Sequence, residues 1–158
     1  MTSPVFQIAP ATKEQLPELA ALLGCLFGQE REFEADNARQ LAGLEHIQAH
    51  PETGCILAAT HDCRVVGMVV VLFSVSTALG GPVATLEDLI VQPQARGRGV
   101  GSALVEAVVE TAAARGCLRL TLLTDGDNRR AQALYARFGF RASSMLPMRL
   151  LMPVGSKD

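Results

Sequence analysis

Three glycines at alternate positions, Gly97, Gly99 and Gly101, interleave with Arg96 and Arg98 at the end of the stretch Leu86 to Gly101. Residues without a Cβ leave main-chain N–H groups open to close approach. Where such a turn opens into a helix, the first N–H groups have no partner inside it, and the helix dipole favours negative charge there. Two guanidinium groups add positive charge beside them. This combination suits the holding of a phosphate or a pyrophosphate.

Such a turn must be entered from one element and left by another. Before it, Val83 to Val91 reads as an apolar strand that breaks at Gln92-Pro93. After it, Val100, Leu104, Val108 and Ala112 share one face of a helix from about Gly99 to Ala114, which Arg115-Gly116 closes. A buried strand is expected over Leu118 to Thr124 and a turn at Asp125 to Asn128. A short helix then runs from Asn128 to Arg137, and a last apolar strand from about Ser144 to Met152.

Upstream, Val5 to Ala9 is a short strand. Thr12 is a candidate N-cap with Gln15 as capping-box partner, and Leu16, Leu19, Leu22, Leu23 and Leu26 repeat at helical spacing. A second helix is expected from Asp36 to Ala49, stopped by His50-Pro51. Strands follow at Gly54 to Thr60 and Val65 to Val75, joined by a hairpin turn at His61 to Arg64. The order is β-α-α-β-β-β-α-β-α-β. Three consecutive strands favour antiparallel pairing, and the strand–helix–strand unit over 83–124 a parallel crossover. The expected class is α/β, a mixed and largely antiparallel sheet with helices on both faces. Residues 1–158 read as a single domain, with 153–158 as a frayed tail.

Bulk properties narrow the function. Net charge is −2, which gives nucleic-acid binding no overall support. Residues 1–79 hold four basic and nine acidic side chains, residues 80–158 ten and seven. That asymmetry would suit an anionic cofactor and a cationic substrate. Cys25, Cys55, Cys63 and Cys117 form no Cys-x-x-Cys pair, three of them in apolar, core-like contexts. They read as reduced thiols of a cytoplasmic protein, with no zinc site and no metal. Ala20 to Phe27 resembles a lipoprotein cleavage box, but Glu14, Pro17 and Glu18 stand where a basic leader belongs. No apolar run reaches membrane-spanning length. His46, His50 and His61 read as solvated.

Two phosphate-binding signatures fit poorly. A Walker loop requires a lysine that is missing here. A dinucleotide fingerprint requires Gly-x-Gly-x-x-Gly and an acidic residue at the next strand's end, where this chain has Leu122-Leu123-Thr124. A third matches. Arg96-x-x-Gly99-x-Gly101, entered from Leu-Glu-Asp-Leu-Ile-Val-Gln-Pro, resembles the acetyl-CoA loop of the GNAT superfamily of N-acetyltransferases. Asn128-Arg-Arg-Ala131-x-x-Leu134-Tyr135-x-x-x-Gly139-Phe140 resembles that family's second signature, in the right order and on the right element.

The resemblance implies a GNAT fold and a set of roles. Main-chain groups of Arg96, Gly97, Arg98, Gly99, Val100, Gly101 and Ser102 would hold the pyrophosphate of acetyl-CoA. The strand Leu89, Ile90 and Val91 would pair with its pantetheine arm, as an added strand would. An N–H near Leu89 or Ile90 would face the thioester oxygen. Asn128, Ala131 and Tyr135 would contact the cofactor from the last helix. Glu87 would take the proton of the amine, with Asp88 as substrate contact or alternative base. Tyr135, the sole tyrosine, would protonate the leaving thiolate. Glu30 and Glu34, in the loop between the first two helices, would attract an ammonium group.

Two other roles compete with these. Asn128 also suits a plain N-cap, and Tyr135 a core aromatic beside Leu134 and Phe138. The function expected is acetyl transfer from acetyl-CoA to a primary amine by direct attack in a ternary complex. The alternative is a catalytically silent acetyl-CoA sensor. The acceptor is a small-molecule or protein amine, and the apolar last strand offers a surface for a homodimer.

Overall fold

The computed structural model describes residues 5–28 and 35–153. Among the described residues, four α-helices flank a six-stranded mixed sheet. The strands are β1 (Gln7–Pro10), β2 (Gly54–His61), β3 (Arg64–Ser76), β4 (Gly81–Leu86), β5 (Ile90–Val91) and β6 (Leu120–Leu122). The helices are α1 (Leu16–Phe27), α2 (Asn37–Ala49), α3 (Val100–Ala114) and α4 (Arg129–Arg137). The sheet runs β1-β2-β3-β4-β6, with β5 also on β3; β4 and β6 are parallel, every other pair antiparallel.

The apolar patterns explain this layering. Strands β2 and β3 are apolar at consecutive positions because both of their faces are covered. Leu57, Ala59, Val69 and Val71 face one way, against Val100, Leu104, Val105 and Val108 of α3. Ile56, Ala58, Met68 and Val70 face the other, against Leu16, Leu19, Leu23 and Leu44 of α1 and α2. The α3 stripe expected from periodicity (Val100, Leu104, Val108, Ala112) is buried along its whole length. The Thr12–Gln15 start signal holds as well, with Gln15 Oε1 accepting from the Thr12 N–H at 2.9 Å; the structure adds a cap on α2, where Asp36 accepts from the Arg39 N–H at 3.2 Å.

Three expected strands differ. The buried strand expected over Leu118 to Thr124 is only the three-residue β6, part-buried, with Leu118 and Leu123 exposed. The run Val83–Val91 is not continuous. From Leu86 to Ile90 the chain advances four residues, while their partners Val71 and Met68 are three apart. One extra residue is therefore accommodated across Glu87–Leu89, a bulge that splits the run into β4 and β5. The last strand does not form in this chain: 144–152 carries no ladder, and Met145, Leu146, Met148, Leu150, Leu151 and Met152 are all exposed. The cysteines are also less buried than their contexts suggest. All four are unbridged, Cys25 and Cys63 being exposed and Cys55 and Cys117 part-buried. Of the tail expected at 153–158, only Pro153 falls among the described residues.

Candidate functional site

The glycine turn lies between β5 and α3. A 3₁₀ turn at Pro93–Ala95 reverses the chain after β5, and Gly97 and Gly99 follow with φ of +74° and +87°. Side-chain-bearing residues rarely adopt those angles. Nothing lies within 4 Å of where a Cβ would stand on either residue, so the main chain there is open on that side. Gly101 differs: it lies inside α3 and faces Leu134 and Val91. Gly99 caps α3, and the bond that closes the first helical turn runs from the Ala103 N–H to the Gly99 carbonyl at 3.0 Å. The N–H groups of Val100, Gly101 and Ser102 precede that bond and stand outside the ladder. Arg96 is held at the rim, its Nε donating to the Val91 carbonyl at 3.1 Å.

Beside the turn the sheet opens. β4 pairs with β6 through Leu86↔Leu122, whereas β5 pairs with β3. The Gln92 N–H bonds to the Val66 carbonyl at 2.9 Å. By the alternation of an antiparallel ladder, Ile90 then faces β3, and the main chain of Val91 faces away from it. The space between β5 and Leu123–Thr124 belongs to one cleft of about 2650 Å³. Glu87 to Val91, Arg96, Gly97, Gly99 to Ser102, Asn128, Ala131 and Tyr135 all border it; Arg98, the other residue of the turn, does not. Glu30 and Glu34 lie outside the described residues. Arg96, Arg119, Arg130, Arg137, Arg141 and Arg149 also border the cleft, so the positive excess of the second half collects there.

The bulge sets the two carboxylates. Glu87 is tied to β3 through its N–H, which donates to the Val70 carbonyl at 2.8 Å. Its carboxyl is the more exposed of the pair, yet partial withdrawal from water raises its pKa; the charge of Asp88 adds to this and that of Arg149 opposes it. Burial raises the Asp88 carboxyl too, opposed by a hydrogen bond from its own main chain. Burial also raises the Tyr135 phenol. Tyr135 belongs to the α3-side core, with its ring edge-on to Phe140 at 5.8 Å, and reaches the cleft from there. Asn128 caps α4 by accepting from the Ala131 N–H at 3.1 Å, while bordering the cleft.

Sequence reasoning missed three residues. Gly67 of β3 allows α3 and β5 to close on the sheet: a Cβ there would stand 3.1 Å from the Ile90 carbonyl, Leu104 and Val100. A glycine within a β-branched run was the available signal. Arg137 of α4 donates to Ser102 Oγ at 2.9 Å and ties the last helix to the first turn of α3. Arg149 acts on Glu87 from the segment expected to be a strand, and no local pattern marks it.

The fold is that of known acetyltransferase structures, among them a putative acetyltransferase from Agrobacterium tumefaciens with a TM-score of 0.77 at 26% identity, over 91% of this chain and 99% of that one. An integron cassette protein from the mobile metagenome of Cole Harbour Salt Marsh superposes with a TM-score of 0.81 at 26% identity, over 94% of this chain and 92% of that one. The chain belongs to the Acetyltransferase (GNAT) family, whose model matches residues 16–140. It is 34% identical to the uncharacterized N-acetyltransferase YhfO of Bacillus subtilis, over 77% of this chain and 83% of that protein. It is 41% identical to the thialysine N-epsilon-acetyltransferase of Bos taurus over 48% of this chain and 44% of that protein. Among the described residues no helix is long and apolar enough to cross a membrane, and no cluster of three or more candidate metal ligands occurs.

Proposed function

We propose that this chain transfers an acetyl group from acetyl-CoA to a primary amine by direct attack of the amine on the thioester. The observation that carries the reading is the open donor set at the start of α3, next to the gap between β5 and β6. Those residues fit the cofactor: the Gly97–Ser102 main chain and the Arg96 guanidinium would hold its pyrophosphate, and the outward main chain of Val91 its pantetheine arm. When bound, the cofactor supplies an acyl group on a good leaving group. Leu89 is the better of the two expected donors to the thioester oxygen, because Ile90 faces β3.

The remaining steps fall to side chains. An alkyl ammonium has a pKa of about 10 and must lose a proton before its nitrogen can attack. Glu87 receives that proton, and its raised pKa makes it a better acceptor than an ordinary carboxylate. Asp88 contacts the cationic acceptor. As the new C–N bond forms and the C–S bond breaks, Tyr135 gives its proton to the departing sulfur, and the second proton that the nitrogen sheds on becoming an amide restores the phenol. The phenol's raised pKa keeps it protonated at neutral pH. The products are an amide and the free thiol. The relative named as a thialysine N-epsilon-acetyltransferase supports a small amine as the acceptor class here.

The test is thiol release from acetyl-, propionyl- and succinyl-CoA across a panel of small amines, polyamines, aminoglycosides, amino acids and peptide N-termini. Release with acetyl-CoA and at least one primary amine is expected. Tyr135→Phe should cut kcat by about 10²-fold or more while leaving cofactor affinity near that of the parent. Tight acetyl-CoA binding with no release across the whole panel would instead establish a sensor.

A further inference from the structure

The cleft opens on both faces of the sheet. Val100 and Tyr135, of the α3-side core, border it, and so do Leu26 and Phe27, which end α1 and pack with the core on the opposite face. Two of its arginines are tied to the side of the glycine turn. Arg96 bonds to the Val91 carbonyl, and Arg137 to Ser102 in the first turn of α3. Arg149 is placed differently. It borders the cleft from the segment that follows α4, and its charge is felt at Glu87 in the bulge. Two carboxylates, Glu87 and Asp88, and one guanidinium therefore share the end of the cleft assigned to the amine.

Acetyl transfer to a plain amine gives that guanidinium no task. Its charge even opposes the reaction, because it lowers the pKa of Glu87 and makes the group a poorer proton acceptor. We infer that Arg149 holds a carboxylate of the acceptor, whose amine lies against Glu87 and Asp88, so that the acceptor is an amino acid and not a plain amine or polyamine. The inference rests on the acetyl-transfer reading of the site and names its substrate class. A guanidinium presents parallel N–H donors that a carboxylate accepts in pairs. Leu26, Phe27, Met145 and Leu146 border the same cleft and offer an apolar wall to the carbon chain between the charged ends.

Charge separates this class from its rivals. Two carboxylates and one guanidinium answer, sign for sign, the two ammonium groups and one carboxylate of a diamino acid. A plain diamine would bring its second ammonium towards Arg149, where like charges repel. A phosphate-bearing amine would crowd negative charge against Glu87 and Asp88. Once a carboxylate covers Arg149, the influence that lowers the Glu87 pKa is cancelled, so the correct acceptor improves its own base.

Matched pairs isolate the carboxylate: ornithine and putrescine, and lysine and cadaverine, differ by that group alone. With the full chain and acetyl-CoA, kcat/KM for each amino acid should exceed that for its diamine by about tenfold or more, mainly through KM. Arg149→Gln should bring that ratio close to one. Arg149→Lys, which keeps the charge without the fork, should restore part of it. Arg149 is exposed, so both variants should keep the helical circular dichroism. Calorimetry on the CoA-loaded chain makes the same comparison without turnover: each amino acid should bind more tightly than its diamine, and Arg149→Gln should remove the difference. A loss shared equally by both members of each pair would mean that Arg149 acts only through Glu87, and would overturn the inference. A preference for the diamines, or for phosphoethanolamine, would overturn it as well. If no amine releases thiol, the transfer reading fails, and the calorimetric pairs still decide whether Arg149 recognises a carboxylate.

Discussion

Asp88 is the carboxylate the bulge holds further from water, and its pKa moves opposite to that of an ion-paired acid. Burial favours its neutral form, so ionisation costs more in the folded chain than in the unfolded one. The sign follows from linkage. The favourable contribution is full below the unfolded-state pKa and is lost as pH rises through the raised folded-state pKa. Asp88→Asn, which cannot ionise, should therefore be more stable than the parent at pH 7 to 8, by no more than about 1 kcal/mol because the group keeps part of its water. The difference should vanish at acid pH. Urea midpoints across a pH series measure it, and a variant less stable at neutral pH would show that Asp88 has a partner that favours its charge. Residue types here were legible where chemistry depends on type alone: Asn128 as a cap, the carboxylate pair and Tyr135 beside the cleft. Their surroundings were not. Alternation along a regular strand would put Glu87 and Asp88 on opposite faces, and an extra residue between two ladders removes the basis for that count.

The elements read most easily were those whose periodicity and stop signals agree. The α3 stripe, the Thr12–Gln15 capping pair and the turn at Asp62-Cys63 appear where expected, the turn with φ of +48° and +61°. The bulge was hidden because register is a property of two strands and the sequence displays one at a time. Residues 144–152 misled for a related reason: strand propensity measures fit to a neighbouring strand, and among the described residues no strand pairs with this segment. The glycine turn gives the sharpest test of an element. Gly99→Ala places a Cβ at φ +87° with no steric neighbour, so the cost is backbone strain alone, about 1–2 kcal/mol. If the turn relaxes to relieve it, the N–H groups at the start of α3 lose their common aim. Thermal unfolding should show the destabilisation, and calorimetry with CoA at least a tenfold loss of affinity. Gly43→Ala is the control of opposite sign. It lies inside α2 with open space around it, and should stabilise by about 0.5–1 kcal/mol with CoA affinity unchanged.

At the scale of the whole molecule, the cleft joins parts that pack separately. Its walls come from the bulge and β5, the start of α3, β6 and α4; α4 reaches α3 through Arg137 and Ser102, and Tyr135 anchors it to the core. A ligand seated across these parts binds the folded chain and not the unfolded one, so its binding free energy adds to stability. Acetyl-CoA at a hundredfold excess over its dissociation constant should contribute about 2.7 kcal/mol. For a chain of this length that corresponds to a rise in Tm of roughly 5–11 °C. The pyrophosphate is the group the open amides are suited to, which fixes the control. Pantetheine, which has the arm but no pyrophosphate, should raise Tm by less than a quarter as much at the same concentration. Differential scanning calorimetry compares the two directly. Equal shifts would mean that the gap beside β5 does the binding and that the glycine turn is only a connection, whereas a shift confined to the intact cofactor, and lost in Gly99→Ala, would tie stability, turn and cleft to one anion site.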